Sequence, residues 1–96
     1  MPVLQDTLSA TGSTSARTVH SLVQPKAYAY GTWGGGTLEL DVSSDDGTTW
    51  ISTGETTTAN GILDLNPYIA WGVQYRFTLS GGAGPYSITI DILPPA

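Results

Sequence analysis

Three stretches of this chain alternate apolar and polar side chains with a period of two, and that periodicity limits its folding options more than any other feature. In Thr37–Ser43, Leu38, Leu40 and Val42 fall on one side while Glu39 and Asp41 fall on the other. In Gly72–Ser80, Val73, Tyr75, Phe77 and Leu79 alternate with Gln74, Arg76 and Thr78. Near the C-terminus Ile88, Ile90 and Ile92 alternate with Thr89 and Asp91, and Pro94 and Pro95 then remove two backbone donors and end the pattern. A period of two sends successive side chains to opposite faces of a strand, one of which can then bury against a core. Helix is disfavoured on the same evidence. With 12 glycines, 6 prolines and many Thr, Ser, Val and Ile residues, no window carries apolar side chains at the 3.6-residue spacing.

Further segments, Gln5–Ala10, Ala16–Leu22, Lys26–Thr32, Thr49–Thr53 and Ile62–Leu65, are short, β-prone and bounded by Gly, Ser, Asn or Pro. Together these segments predict about eight short strands without helical crossovers, which favours an all-β, single antiparallel β-sandwich of jelly-roll type. At 96 residues the chain has room for one core, so residues 1–96 are read as one domain. Residues 1–12 fit either an edge strand or an N-terminal arm that orders on a neighbouring subunit, with Leu4 and Leu8 as its apolar contacts.

Charge narrows the choice of partner. Charged residues make up 11% of the chain, against roughly 25% in an average soluble domain. A surface dominated by Thr, Ser and Gly suits a protein that works packed against neighbours. The formal net charge of −5, with only Arg17, Lys26 and Arg76 as cations, provides no basic stripe for nucleic acid. No run approaches the roughly 18 apolar residues of a membrane helix, and Met-Pro-Val-Leu-Gln-Asp at the start lacks the charged n-region and apolar h-region of a secretion signal. The expectation is a soluble protein with no nucleic-acid or membrane partner. The absence of cysteine removes disulfides and thiolate metal sites as sources of stability.

The segment Ser43-Ser44-Asp45-Asp46-Gly47-Thr48-Thr49-Trp50 fits the pattern S-x-D-x-G-x-T-W. It resembles the Asp-box of sialidases and many β-propeller proteins, where it recurs once per blade away from the active site. Its chemistry is that of a hairpin: Asp side chains accept from nearby backbone N–H groups, Gly47 supplies a positive φ, and Trp50 returns to pack under the turn. Ser43, Asp45, Gly47, Thr49 and Trp50 are therefore assigned to a structural hairpin, with the core as one reading of where the Trp50 ring lies. Calcium is the competing reading, since Asp41, Asp45, Asp46, Asp64 and Asp91 offer oxygen ligands, but the D-x-D-x-D-G spacing of a calcium loop is missing. No metal and no cofactor are expected.

Catalytic constellations are equally scarce. His20 is the single histidine and sits beside Val19 and Leu22, and no Ser occupies a G-x-S-x-G elbow. A carboxylate pair drawn from Glu39, Asp41 and Glu55 is the remaining hydrolytic option, opposed by the lack of room for a deep cleft. Gly34-Gly35-Gly36 and Gly81-Gly82-Ala83-Gly84-Pro85 lack the Lys-Ser/Thr ending of a phosphate loop and read as turns or close backbone approaches. The chain is not expected to be an enzyme. Aromatic residues are the more informative class, because they present large contact area at low entropic cost. Tyr28 and Trp33, before the glycine run, and Tyr68 and Trp71, after Pro67, are assigned to a protein interface together with Leu4 and Leu8. Tyr28 and Tyr30 share one face by alternation, and that face is either core or surface.

Taken together, Tyr30-Gly31-Thr32-Trp33-Gly34-Gly35-Gly36-Thr37-Leu38-Glu39-Leu40, the Asp-box turn, and Tyr75-Arg76-Phe77-Thr78-Leu79-Ser80-Gly81-Gly82 resemble small β-sandwich proteins of tailed-bacteriophage virions. The resemblance covers about residues 30 to 92 and carries a class rather than a site. It implies a capsid decoration or cement protein on the outer capsid surface, trimeric or dimeric, bridging subunits of the major capsid protein. The span from Met1 to Ala96 reads as one small gene product, which favours that role. The alternative is a carbohydrate- or receptor-binding module of a phage tail or cell-surface protein, using the same aromatics as a sugar platform.

Overall fold

A computed structural model describes residues 4–19 and 25–93. His20 and Leu22, and the strand-ending prolines Pro94 and Pro95, lie outside the described residues. The strands run β1 (Leu4–Leu8), β2 (Gly12–Ser13), β3 (Arg17–Thr18), β4 (Lys26–Thr32), β5 (Thr37–Ser43), β6 (Ile51–Thr57), β7 (Gly61–Asp64), β8 (Gln74–Ser80) and β9 (Ser87–Leu93), with a 3-10 turn at Asn66–Tyr68. Two antiparallel sheets result, one ordered β1-β9-β4-β7 and the other β2-β8-β5-β6 with β3 also on β8. The β-sandwich read from the alternation is the observed fold.

β2 and β3 are two ends of one interrupted edge segment. Between them Thr14 N donates to Phe77 O (2.8 Å), and the Thr14 hydroxyl oxygen accepts from Phe77 N (3.0 Å) where a backbone carbonyl would otherwise stand. Counting that segment once, the pairings nest: β1 with β9, β2/β3 with β8, β4 with β7, and β5 with β6. This is a jelly roll, a two-armed antiparallel ribbon rolled so that successive pairs alternate between the sheets. β4 on β9 and β5 on β8 then join the turns of the roll. Among the described residues, β5 and β6 are the one pair of consecutive strands that hydrogen-bond to each other, and the Asp-box segment closes them.

Packing explains which faces point inward. From the first sheet come Ala27 and Ala29 on β4, Ile88, Ile90 and Ile92 on β9, and Leu63 on β7; from the second come Leu38, Leu40, Tyr75, Phe77 and Leu79. Tyr75 and Phe77 meet edge to face, with ring centroids 6.1 Å apart. Small residues on β4, a central strand of one sheet, thus lie in the same core as bulky rings on the other, a pairing that suits the roughly 10 Å spacing at which sheets pack. Burial pushes the Tyr75 hydroxyl up to about 12.

Three local departures from the expected pattern have identifiable causes. β6 extends to Thr57 rather than ending at Thr53 because its register shifts opposite Leu40, forming a bulge. Gly54 adopts φ 81° there, and the Thr53 hydroxyl donates to Leu40 O (2.8 Å). Asp41 faces outward as expected yet is almost fully buried, because it receives the Thr78 hydroxyl (2.7 Å) and lies 3.6 Å from Arg76 Nε. Residues 1–12, read as strand or arm, contain a paired strand: Leu4–Leu8 lies on β9, with Leu4 and Leu8 turned inward against the core. Both are only half-buried there, so each packs on the core with one side and keeps the rest of its surface exposed.

Both open sides of the sandwich are closed by polar clasps. On one, Arg17 donates through Nη2 (2.8 Å) and Nε (3.0 Å) to the two oxygens of Asp6 and also reaches Gln5 O (3.3 Å). On the other, Glu55 accepts from Asp64 N (3.4 Å) and from the Tyr68 hydroxyl (3.4 Å). Charges placed at strand edges disfavour edge-to-edge pairing with other chains.

Candidate functional site

The two ends of the roll are built for shape. At one end, Gly34 O accepts from Ala83 N (3.0 Å) and Gly84 N (3.2 Å), joining the two glycine-rich loops backbone to backbone. A Cβ on Gly34 would lie 2.5 Å from Gly84 Cα, and one on Gly82 would lie 2.4 Å from Gly34 O. Glycine is required there because main chain meets main chain. Trp33 belongs to this end, half-buried, with Nε1 donating to Asn60 Oδ1 (2.9 Å).

At the opposite end the Asp-box turn is held by local bonds. Buried Ser43 Oγ donates to Asp45 Oδ1 (2.8 Å) and accepts from Gly47 N (2.9 Å), while Thr49 N donates to the same Asp45 oxygen (2.7 Å). Gly47 has φ 87° and Asp46 has φ 62°. The Thr49 and Ser43 hydrogen bonds hold the Asp45 carboxyl below the usual carboxylate range. Trp50 returns to pack at the turn, where a Cβ on Gly47 would lie 3.7 Å from its ring, and it is half-buried outside the core cluster, on the outer face of the second sheet, with the Arg76 guanidinium 4.2 Å from its ring centroid. Tyr68 packs partly against the core, whereas Trp71 is 67% exposed.

The two broad faces differ in kind. On the second sheet the outward side chains are engaged with one another. The Thr78 hydroxyl proton goes to Asp41, so Ser13 donates to Thr78 (2.9 Å), and the Ser52 hydroxyl donates to Glu39 (2.6 Å). Glu39 and Asp41 therefore sit on this face and Glu55 on the side of the sandwich, so the three carboxylates do not converge on one site. The first sheet presents a different surface. Tyr28 (37% exposed), Tyr30 (43%) and Ile62 (57%) all point outward from it. Cross-strand register sets Gln5, Asp91, Tyr28 and Ile62 in one row across β1, β9, β4 and β7, with Thr7, Thr89 and Tyr30 in the next. Comparison with protein-family models, curated proteins and solved structures finds no match.

The band on the first sheet is preorganised. Asp91 accepts from Gln5 Nε2 (2.7 Å) and from the Tyr30 hydroxyl (2.9 Å), tying three strands together through one carboxylate. That bond to Asp91 raises the Tyr30 hydroxyl above its ordinary range. Lys26 and Asp64 pair at 3.6 Å on the flank. A flat aromatic and aliphatic band carried on central strands, with hydrogen-bonding groups beside it, can hold a flat partner surface or stack against a sugar ring. Of the residues assigned to an interface from sequence, Tyr28 lies in this band, while Trp33, Tyr68 and Trp71 are distributed over the two ends. Ile62 was missed. Its signal was present in the alternation of Leu63 and Leu65, which leaves Ile62 facing outward.

Proposed function

We propose that this chain is a structural virion protein of a tailed bacteriophage that decorates the outer capsid surface, docks on the major capsid protein and self-associates as a homotrimer. The observation that carries this reading is the Tyr28–Tyr30–Ile62 band, aromatic and aliphatic side chains exposed together on one face of the sandwich. Low charge and the virion-like strand, glycine and hairpin motifs support it. A cement protein acts through many modest contacts repeated by symmetry, so a preorganised flat band is sufficient and no catalytic cleft is needed. The net charge of −5 keeps the protein from competing for the packaged genome.

Mass spectrometry of purified virions, combined with cosedimentation of the recombinant chain with undecorated shells, tests the proposal. Hundreds of copies per particle and saturable binding, lost in Tyr28→Ser/Ile62→Ser, are expected; absence from the particle would refute it. The pairing of Tyr28 and Tyr30 with the Gln5 and Asp91 hydrogen-bonding groups favours a second reading, a carbohydrate-binding module. Glycan binding that quenches tyrosine fluorescence, together with no affinity for shells, would establish that reading instead.

A further inference from the structure

Asn60-Gly61, at the corner between β6 and β7, combines a reactive dipeptide with an unusual hydrogen-bonding environment. Asn60 is exposed, yet its Oδ1 accepts from Gly31 N (3.0 Å) and Trp33 Nε1 (2.9 Å). Both partners can only donate, so the carboxamide oxygen must face them and Nδ2 must point elsewhere. We infer that Asn60 is a self-modification site, at which the folded chain promotes cyclisation to a succinimide and hydrolysis to aspartate or isoaspartate.

The chemistry follows from the neighbours. The Gly61 amide nitrogen loses its proton to solvent base and attacks the Asn60 side-chain carbon, forming a C–N bond. The carbonyl pair of electrons moves onto Oδ1, and the tetrahedral intermediate collapses as Nδ2 takes a proton and leaves as ammonia. Water then adds at one of the two imide carbonyls, the bond from that carbon to the ring nitrogen breaks as the nitrogen takes back a proton, and the product is aspartate or isoaspartate according to which carbonyl was attacked. Glycine as the attacking residue presents no Cβ to hinder that approach. Negative charge develops on the oxygen that already receives two N–H donors, the arrangement that stabilises an oxyanion. The same donors bind the starting carboxamide, so acceleration comes only from the strengthening of those bonds as the oxygen becomes anionic. Asn66 is the internal control, because it precedes Pro67, whose nitrogen carries no proton and cannot form the ring. This inference is independent of the virion role.

Incubation of the full chain in mildly alkaline buffer, followed by peptide mapping with mass spectrometry, provides the test. Aspartate and isoaspartate are expected at position 60 with Asn66 intact. The reaction should run faster in the folded chain than in the same chain in denaturant. Trp33→Phe, which removes one donor and keeps a ring in place, should slow it roughly tenfold in the folded state, a modest version of the loss seen on deleting an oxyanion donor. A folded chain that reacts no faster than the denatured one would overturn the inference without any variant. So would a folded Trp33→Phe chain that reacts at the unsubstituted rate.

Discussion

Two tryptophan- and phenylalanine-sized side chains in this protein illustrate how little residue type says about energetic weight. Phe77 is fully buried between the sheets, and Phe77→Ala should cost about 3–5 kcal/mol in a urea titration, the transfer and cavity terms together. Trp50 is larger, but it lies on the outer face against Arg76, so Trp50→Ala should cost only about 1 kcal/mol, mostly lost cation–π attraction and surface packing. A Trp50 loss as large as that of Phe77 would contradict its placement. Asp45 has an opposite profile, exposed yet structurally engaged. Its pKa is depressed in the folded state, so its contribution is fully present above the unfolded value of about 3.9 and is lost as pH falls through the lower folded value. Asp45→Asn should therefore flatten the acid limb of the stability curve below about pH 4, as thermal melts across that range would reveal.

At the scale of strands, legibility tracked locality. β5 and β8 were readable because each alternates polar and apolar residues through its full length, and β9 because it does so from Ser87 to Ile92. β6 was truncated in the reading because Thr53, Gly54 and Glu55 form a bulge that interrupts the period, and β2 was missed because Gly12 and Ser13 carry no apolar signal. Pairing partners were not readable, since β1 finds β9 across nearly the whole chain. The Asp-box geometry could be anticipated because the bonds joining Ser43, Asp45, Gly47 and Thr49 are local, although Gln74 Nε2 also donates to Asp46 Oδ1 (3.3 Å) from β8. The orientation of β4 could not: Ala27 and Ala29 face inward, into the core that also holds Tyr75 and Phe77, and Tyr28 and Tyr30 face outward, whereas alternation alone permits either choice. Locality also predicts the order of folding. β5–β6 closes the smallest loop in the roll, so its contacts incur the least closure entropy. Asp45→Ala should slow refolding with a φ-value above about 0.5, whereas Ile90→Val, in the distant β1–β9–β4 contacts, should act mainly by speeding unfolding. Chevron plots of the two variants distinguish these outcomes.

The whole molecule is asymmetric in a way its composition conceals: both broad faces carry side-chain hydrogen bonds, but the first also displays the Tyr28, Tyr30 and Ile62 band. Substituting Tyr28 and Ile62 by serine should leave the unfolding midpoint nearly unchanged, within about 0.5 kcal/mol for each surface site, while raising solubility. A large drop in midpoint would mean that the band is structural rather than a contact surface. The nested pairing has a further consequence. The rolled ribbon has two tips, one sealed by the Asp-box turn and one open, where Leu4 stands opposite Ile92 on adjacent strands. A linker joining the open tip and a cut through the sealed one would leave every strand beside its present neighbours, while making the longest-range pair the most local. Such a permuted chain would keep the architecture and reverse its assembly, zipping from β1–β9 inward, so that the Asp-box strands become the last to meet.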